Sequence, residues 1–91
     1  MGETKIAISS LAMDLKRVAL GYWKGSDKIA QRFADEALKR QGELKSASLK
    51  PYLRNLLEKL PSILEQQDKK RLAEDALMYS TLFQNYALKF T

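Results

Sequence analysis

Residues 68–90 read DKKRLAEDALMYSTLFQNYALKF, and this stretch decides the fold class. Leu72, Ala76, Tyr79, Phe83, Tyr86 and Phe90 recur at spacings of four, three, four, three and four. At 3.6 residues per turn those positions wind onto one face of an α-helix. A half-buried strand would instead alternate apolar and polar residues, and no stretch of the chain does so convincingly. Asp68 stands where its carboxylate can take the free amides of the first turn, and Glu74 and Asp75 stand within pairing distance of Lys70 and Arg71.

The same period continues toward the amino terminus. Ile8, Leu11, Leu15, Val18 and Tyr22 predict a first helix over residues 5–23. Lys24-Gly25-Ser26-Asp27 then stops it, with Gly25 suited to a left-handed C-terminal cap and Ser26 or Asp27 to capping the next helix. A second helix is expected over residues 27–41, closed by Gly42. Its narrow apolar face of Ile29, Ala30, Phe33, Ala34, Ala37 and Leu38 suggests a peripheral position. Asp35 with Lys39 and Glu36 with Arg40 are spaced as i,i+4 pairs. After a loop over residues 42–48, with Ser48 as the cap, Leu49, Leu53, Leu56, Leu57, Leu60 and Leu64 form one stripe that passes Pro61. Proline lacks the amide donor and crowds the preceding turn, so this third segment is one bent helix or two short ones. The expectation is a single all-α domain over residues 1–91. It is a four-helix bundle with antiparallel neighbours, or a five-helix one if Pro61 divides the third helix. The apolar pattern is too short for a sustained coiled coil.

Composition narrows the chemistry. Apolar residues make up 45% of the 91, enough for one core, and with no cysteine neither disulfides nor thiolate metal sites can reinforce it. The chain also lacks histidine, the commonest general base and transition-metal ligand. Asp35-Glu36 and Glu74-Asp75 are sequence neighbours, which diverge by about 100° on a helix and so do not converge as a catalytic pair. Ser9 and Ser10 have Lys16 nearby on the helical wheel, but two turns away, too far for an activating hydrogen bond. Gly21, Gly25 and Gly42 have neither the spacing nor the context of a phosphate-binding loop. The sequence therefore predicts no enzyme, no cofactor, no metal and no small-molecule substrate.

The first residues lack the pattern of a signal peptide, and Ile6 occupies the position where a myristoylation signal carries serine or threonine. No apolar run is long enough to span a bilayer, and a cytoplasmic location without membrane contact is expected.

Net charge is +5, divided as +3 over residues 1–47 and +2 over residues 48–91. A diffuse excess of this kind permits a nucleic-acid partner without requiring one. Two patches would serve. One is the turn between the first two helices, with Lys24, Lys28 and Arg32 beside Gln31, and with Tyr22 and Trp23 as stacking surfaces. The other is Lys69-Lys70-Arg71, whose charge opposes the helix dipole at that end.

A partner of another kind is suggested by a second apolar row on the first helix. Ile6, Met13 and Leu20, spaced by seven, lie nearly opposite the Ile8–Tyr22 stripe, with Lys16, Arg17 and Lys24 beside them. Leu77 and Leu88 lie behind the stripe of the last helix. One small core does not need both faces of a helix. These five residues are the candidate interface for a protein partner, with a symmetric homodimer the leading form. The mechanism is burial of an apolar helix face, with the Lys and Arg rim steering an acidic partner. Nucleic-acid binding is the alternative.

Overall fold

The computed structural model describes residues 2–45 and 47–90, with the side chain of Phe90 outside the description. Four helices follow in order: α1 (Gly2–Trp23), α2 (Asp27–Leu44), α3 (Pro51–Leu64) and α4 (Lys69–Phe90). The two 22-residue helices should each measure about 33 Å at 1.5 Å per residue. The molecule is 37 Å long and 19 × 18 Å across, so they run along its length. In cyclic order α1 packs on α2 and α4, and α3 closes the ring opposite α1. Ser80 lies against Ala12 and Lys69 against Tyr22, which makes α1 and α4 antiparallel.

Local chemistry sets the boundaries. Gly25 has φ +78°, and around it the Ser26 amide donates to the Gly21 carbonyl (2.8 Å) and the Gly25 amide to Tyr22 (3.1 Å). This is the Schellman end of α1, built on the glycine the sequence offers for it. Ser26 occupies the N-cap of α2, yet its hydroxyl makes no capping bond; its backbone carbonyl accepts from Ala30 (3.0 Å). Asp68 does cap α4, its Oδ1 accepting the Lys70 and Arg71 amides at 3.1 and 3.2 Å.

Three boundaries differ from the expectation. Helix α1 begins before residue 5. Helix α2 runs through Gly42 to Leu44, because Leu44 is buried and holds the last turn in place. Helix α3 starts at Pro51 with Lys50 as its N-cap, so Ser48 is not the cap and Leu49 packs on the core from the connecting segment. Proline at the first helical position loses no hydrogen bond there, since that amide has no intrahelical acceptor.

Pro61 does not divide α3, which continues to Leu64. Its missing amide leaves the Leu57 carbonyl without an i+4 donor. Gln41, buried on α2, donates Nε2 to that carbonyl at 3.1 Å. The bond replaces what the proline removes and ties α2 to α3 at the same time. At the end of α3, Gln66 donates Nε2 to the Ile63 carbonyl (3.0 Å) and to Asp75 Oδ2 (2.9 Å), linking α3 to α4. Asp75 therefore serves Gln66.

The core is made of Ile8, Leu11, Leu15 and Val18 from α1, the α3 leucines, and Leu72, Tyr79, Phe83 and Tyr86 from α4. Where α1 meets its neighbours the residues are small. A Cβ added at Gly21 would stand 2.9 Å from the Ala30 Cβ, and Ser80 Oγ donates to the Ala12 carbonyl at 2.7 Å. The narrow alanine face of α2, with Ala30, Ala34 and Ala37 buried, thus reflects close packing on the bundle and not a peripheral place; Ile29 lies outside it, exposed.

Candidate functional site

Helix α1 is held on both flanks and bare behind. Its outer row of Ile6, Met13 and Leu20 is 65, 53 and 38% exposed. Each lies two helical turns from the next, so the row forms a ridge of steps of about 10.5 Å. The core stripe accounts for one face of α1, and the opposite face stays open to solvent along much of its length.

A shallow groove runs along each side of this ridge. Toward α2, a cleft of about 400 Å³ is lined by Lys5, Ile6, Ser9, Ser10, Met13, Asp14, Arg17 and Arg40. Toward α4, a cleft of about 290 Å³ is lined by Ala12, Met13, Lys16, Leu77, Ser80, Thr81, Gln84 and Asn85. Met13 belongs to both. The second cleft brings Met13 of α1 and Leu77 of α4 to one surface. Leu77 is partly buried against the core, whereas Leu88, two-thirds exposed, stands further along α4. The antiparallel register puts Leu88 level with the first turns of α1, where Ile6 lies.

The charges around the ridge are fixed by contacts between helices. Asp14 is 5% exposed, and Arg40 of α2 donates Nε to its Oδ2 at 2.9 Å. Burial raises the Asp14 carboxyl above its ordinary 3.8, an effect that the Arg40 hydrogen bond and charge only partly reverse. Arg40 thus reaches across to α1 instead of pairing along its own helix with Glu36, and Asp35 accepts from Gln31 Nε2 at 3.1 Å. The Arg17 guanidinium lies 5.2 Å from the Phe33 ring centre, a cation–π contact that leaves its charge beside the ridge. Lys5, Lys16, Arg17 and Lys24 are all exposed around the ridge. Asp14, the acid in the α2-side cleft, is already engaged.

The two basic patches, separated by about 40 residues in sequence, come to the same end of the bundle. The Lys69 ammonium lies 5.3 Å from the Tyr22 ring centre, so the start of α4 meets the end of α1. Lys24, Lys28, Arg32, Lys69, Lys70 and Arg71 are all exposed, and Trp23 beside them is half-exposed. Asp27, Glu65 and Asp68 are acids at that end, and Glu74 stands as far along α4 as Arg32 does along α2.

The sequence offers Glu36 as the partner of Arg40 and does not anticipate the pairing of Arg40 with Asp14. The signal for Asp14 is its place at the margin of the core stripe, where a charged side chain needs a partner from another helix. Among the described residues, no three acidic, histidine or cysteine side chains gather as a metal site. No described helix is long and apolar enough to cross a membrane. No protein-family model matches the chain, and neither a curated protein nor a solved structure matches it.

Proposed function

We propose that this chain is a non-catalytic interaction module of the cytoplasm, a small adaptor, regulator or assembly subunit. It binds protein through the outer face of α1 and the adjoining edge of α4. The observation that carries this reading is the exposed row of Ile6, Met13 and Leu20 on a helix whose other large aliphatics, Ile8, Leu11, Leu15 and Val18, are completely buried. An ordered row of aliphatic side chains with a basic rim is what a protein interface requires: apolar contact at its centre, charge at its edge. Self-association through this face is the homotypic form of the reading. Light scattering of the purified chain tests it: a dimer mass that falls to the monomer in Met13→Glu/Leu20→Glu supports the homotypic form. Protein binding that is insensitive to this double change, in a variant with unchanged helical circular dichroism, would refute the reading as a whole.

The Lys69–Tyr22 contact favours a second reading, nucleic-acid binding at the basic end of the bundle. Phosphate contacts there would be salt-dependent. A mobility shift at low salt that disappears in Lys28→Glu/Lys69→Glu supports it, and absence of any shift with DNA or RNA counts against it.

A further inference from the structure

The geometry points to a particular occupant for the α1 ridge: an acidic amphipathic helix from a different protein, docking as a fifth helix of the bundle. This rests on the protein-binding reading above and names the partner's chemistry.

The argument for a helix is one of spacing. Ile6, Met13 and Leu20 repeat every seven residues, and a docking helix presents its own seam at the same axial interval of about 10.5 Å. The clefts on either side of Met13 are grooves between helices, into which side-chain ridges of another helix pack. No strand exists among the described residues, so an extended partner would find no sheet edge to complete its hydrogen bonds.

The argument for acidity is one of charge. Lys16 and Arg17 lie on opposite sides of Met13 on the helix wheel, and Lys5 and Lys24 lie near the ends of the row. Glu3 is the exposed acid on α1, one against those four cations; on the neighbouring helices Asp35, Glu36 and Glu43 of α2 and Glu74 of α4 are exposed, with Glu36 near enough to act on Asp14. A second copy of this chain would set the same cations against themselves across a two-fold axis, an arrangement that like charges oppose. Area argues the same way. The strip from Ile6 to Lys24 is about 27 Å long and about 10 Å wide, so a docked helix buries on the order of 600 Å² over both surfaces. Stable dimers bury about twice that or more, whereas short-lived contacts fall in this lower range.

An anionic membrane offers negative charge too. Interfacial helices sink about 5–10 Å into the headgroup boundary and commonly carry Trp or Phe with Leu on the buried side. Here three aliphatic residues stand on a helix pinned between α2 and α4.

The test uses the full chain and a synthetic helical peptide with leucine on a seven-residue seam and glutamate on both flanks. Its control has the same composition with the seam broken. Binding is read by amide chemical shifts and by Trp23, the single tryptophan, which stands half-exposed at the end of α1. The seam peptide should bind, with shifts mapping to the Ile6, Met13 and Leu20 face. Met13→Glu/Leu20→Glu should weaken it by about tenfold or more, the loss expected for one buried aliphatic anchor. Lys16→Glu/Lys24→Glu should weaken it as well, and a peptide carrying lysine for glutamate should restore binding to that variant. Equal binding of the control peptide overturns the inference, as do shifts mapping to the Lys28–Lys69 end. Tighter binding to anionic vesicles or to RNA than to the seam peptide also overturns it. A dimer that Met13→Glu dissociates, with no peptide bound, assigns the ridge to a second copy: this inference then fails while the protein-binding reading stands.

Discussion

Replacing Gln41 with methionine isolates the bond that lets α3 pass Pro61. The two side chains have the same length and nearly equal helix propensity, so the change removes the amide without opening a large cavity. It leaves the carbonyl of Leu57, a residue 2% exposed, without the donor that Gln41 supplies at 3.1 Å. An unpaired buried acceptor costs about 1–3 kcal/mol. Relief of burying the Gln41 amide offsets part of that, so a net loss of about 1–2 kcal/mol is expected. In a domain of this size that is a fall in Tm of roughly 4–16 °C. The decisive background is Pro61→Ala, which restores an amide four residues after Leu57. There Gln41→Met should cost almost nothing, giving a coupling of about 1–2 kcal/mol in a double-mutant cycle. Urea titrations followed by circular dichroism measure all four corners, with unchanged m-values confirming that stability alone moved. If Gln41→Met is equally destabilising with proline and with alanine at 61, within about 0.5 kcal/mol, Gln41 is not compensating for the proline.

Two further outcomes follow from the packing of α1. Gly21→Ala drives a methyl to 2.9 Å from both the Cβ and the backbone nitrogen of Ala30 and should destabilise by about 1–3 kcal/mol, of which Ala30→Gly can relieve only the Cβ share; a urea midpoint for Gly21→Ala equal to that of wild type would show that the close approach of α1 and α2 is not needed. Asp14→Asn tests the sign of burial against ion pairing, measured as the stability difference from wild type between pH 4 and pH 7. Burial raises the folded carboxyl above 3.8, so its contribution is complete below the unfolded value and is lost as pH rises through the raised one. Wild type should therefore gain on Asp14→Asn as pH falls, and a gain in the opposite direction would mean that the Arg40 pair outweighs burial.

Much of this fold is legible along the chain because its signals are local. The 3–4 spacing on α1 and α4, the left-handed Gly25 and the Asp68 cap all act within one or two turns. The misread boundaries are those where a distant contact outweighs a local cost. Glycine at 42 disfavours helix by about 1 kcal/mol, but burying Leu44 returns about 1.5–3 kcal/mol, so α2 continues. Ser48 and Pro51 both mark a helix start, and the proline, with its φ already set, takes the position. Continuity through Pro61 depends on Gln41, and the Asp14–Arg40 pair spans 26 residues, so each needs a register between helices that periodicity does not supply. The same holds for the site. The ridge is readable as a repeat of seven, whereas the meeting of Lys24 with Lys69 at one end needs the antiparallel register of α1 and α4.

The bare ridge has a cause in the topology. Helix α1 touches α2 and α4, and the 14-residue α3 lies across the core from it, so among the described residues no helix is packed over its outer face. Small residues deepen the effect: Gly21 opposite Ala30, and Ala12 under Ser80, bring the neighbouring helices close and leave only shallow grooves outside. Close packing of α1 from inside thus makes it a rigid rail, with Ile6, Met13 and Leu20 at fixed intervals. A partner docking on the proposed site would cost this rail little conformational entropy, since its backbone is already ordered by the core. The same fixed geometry would make the proposed site selective, because a partner would have to match both the seven-residue interval and the cations that flank it.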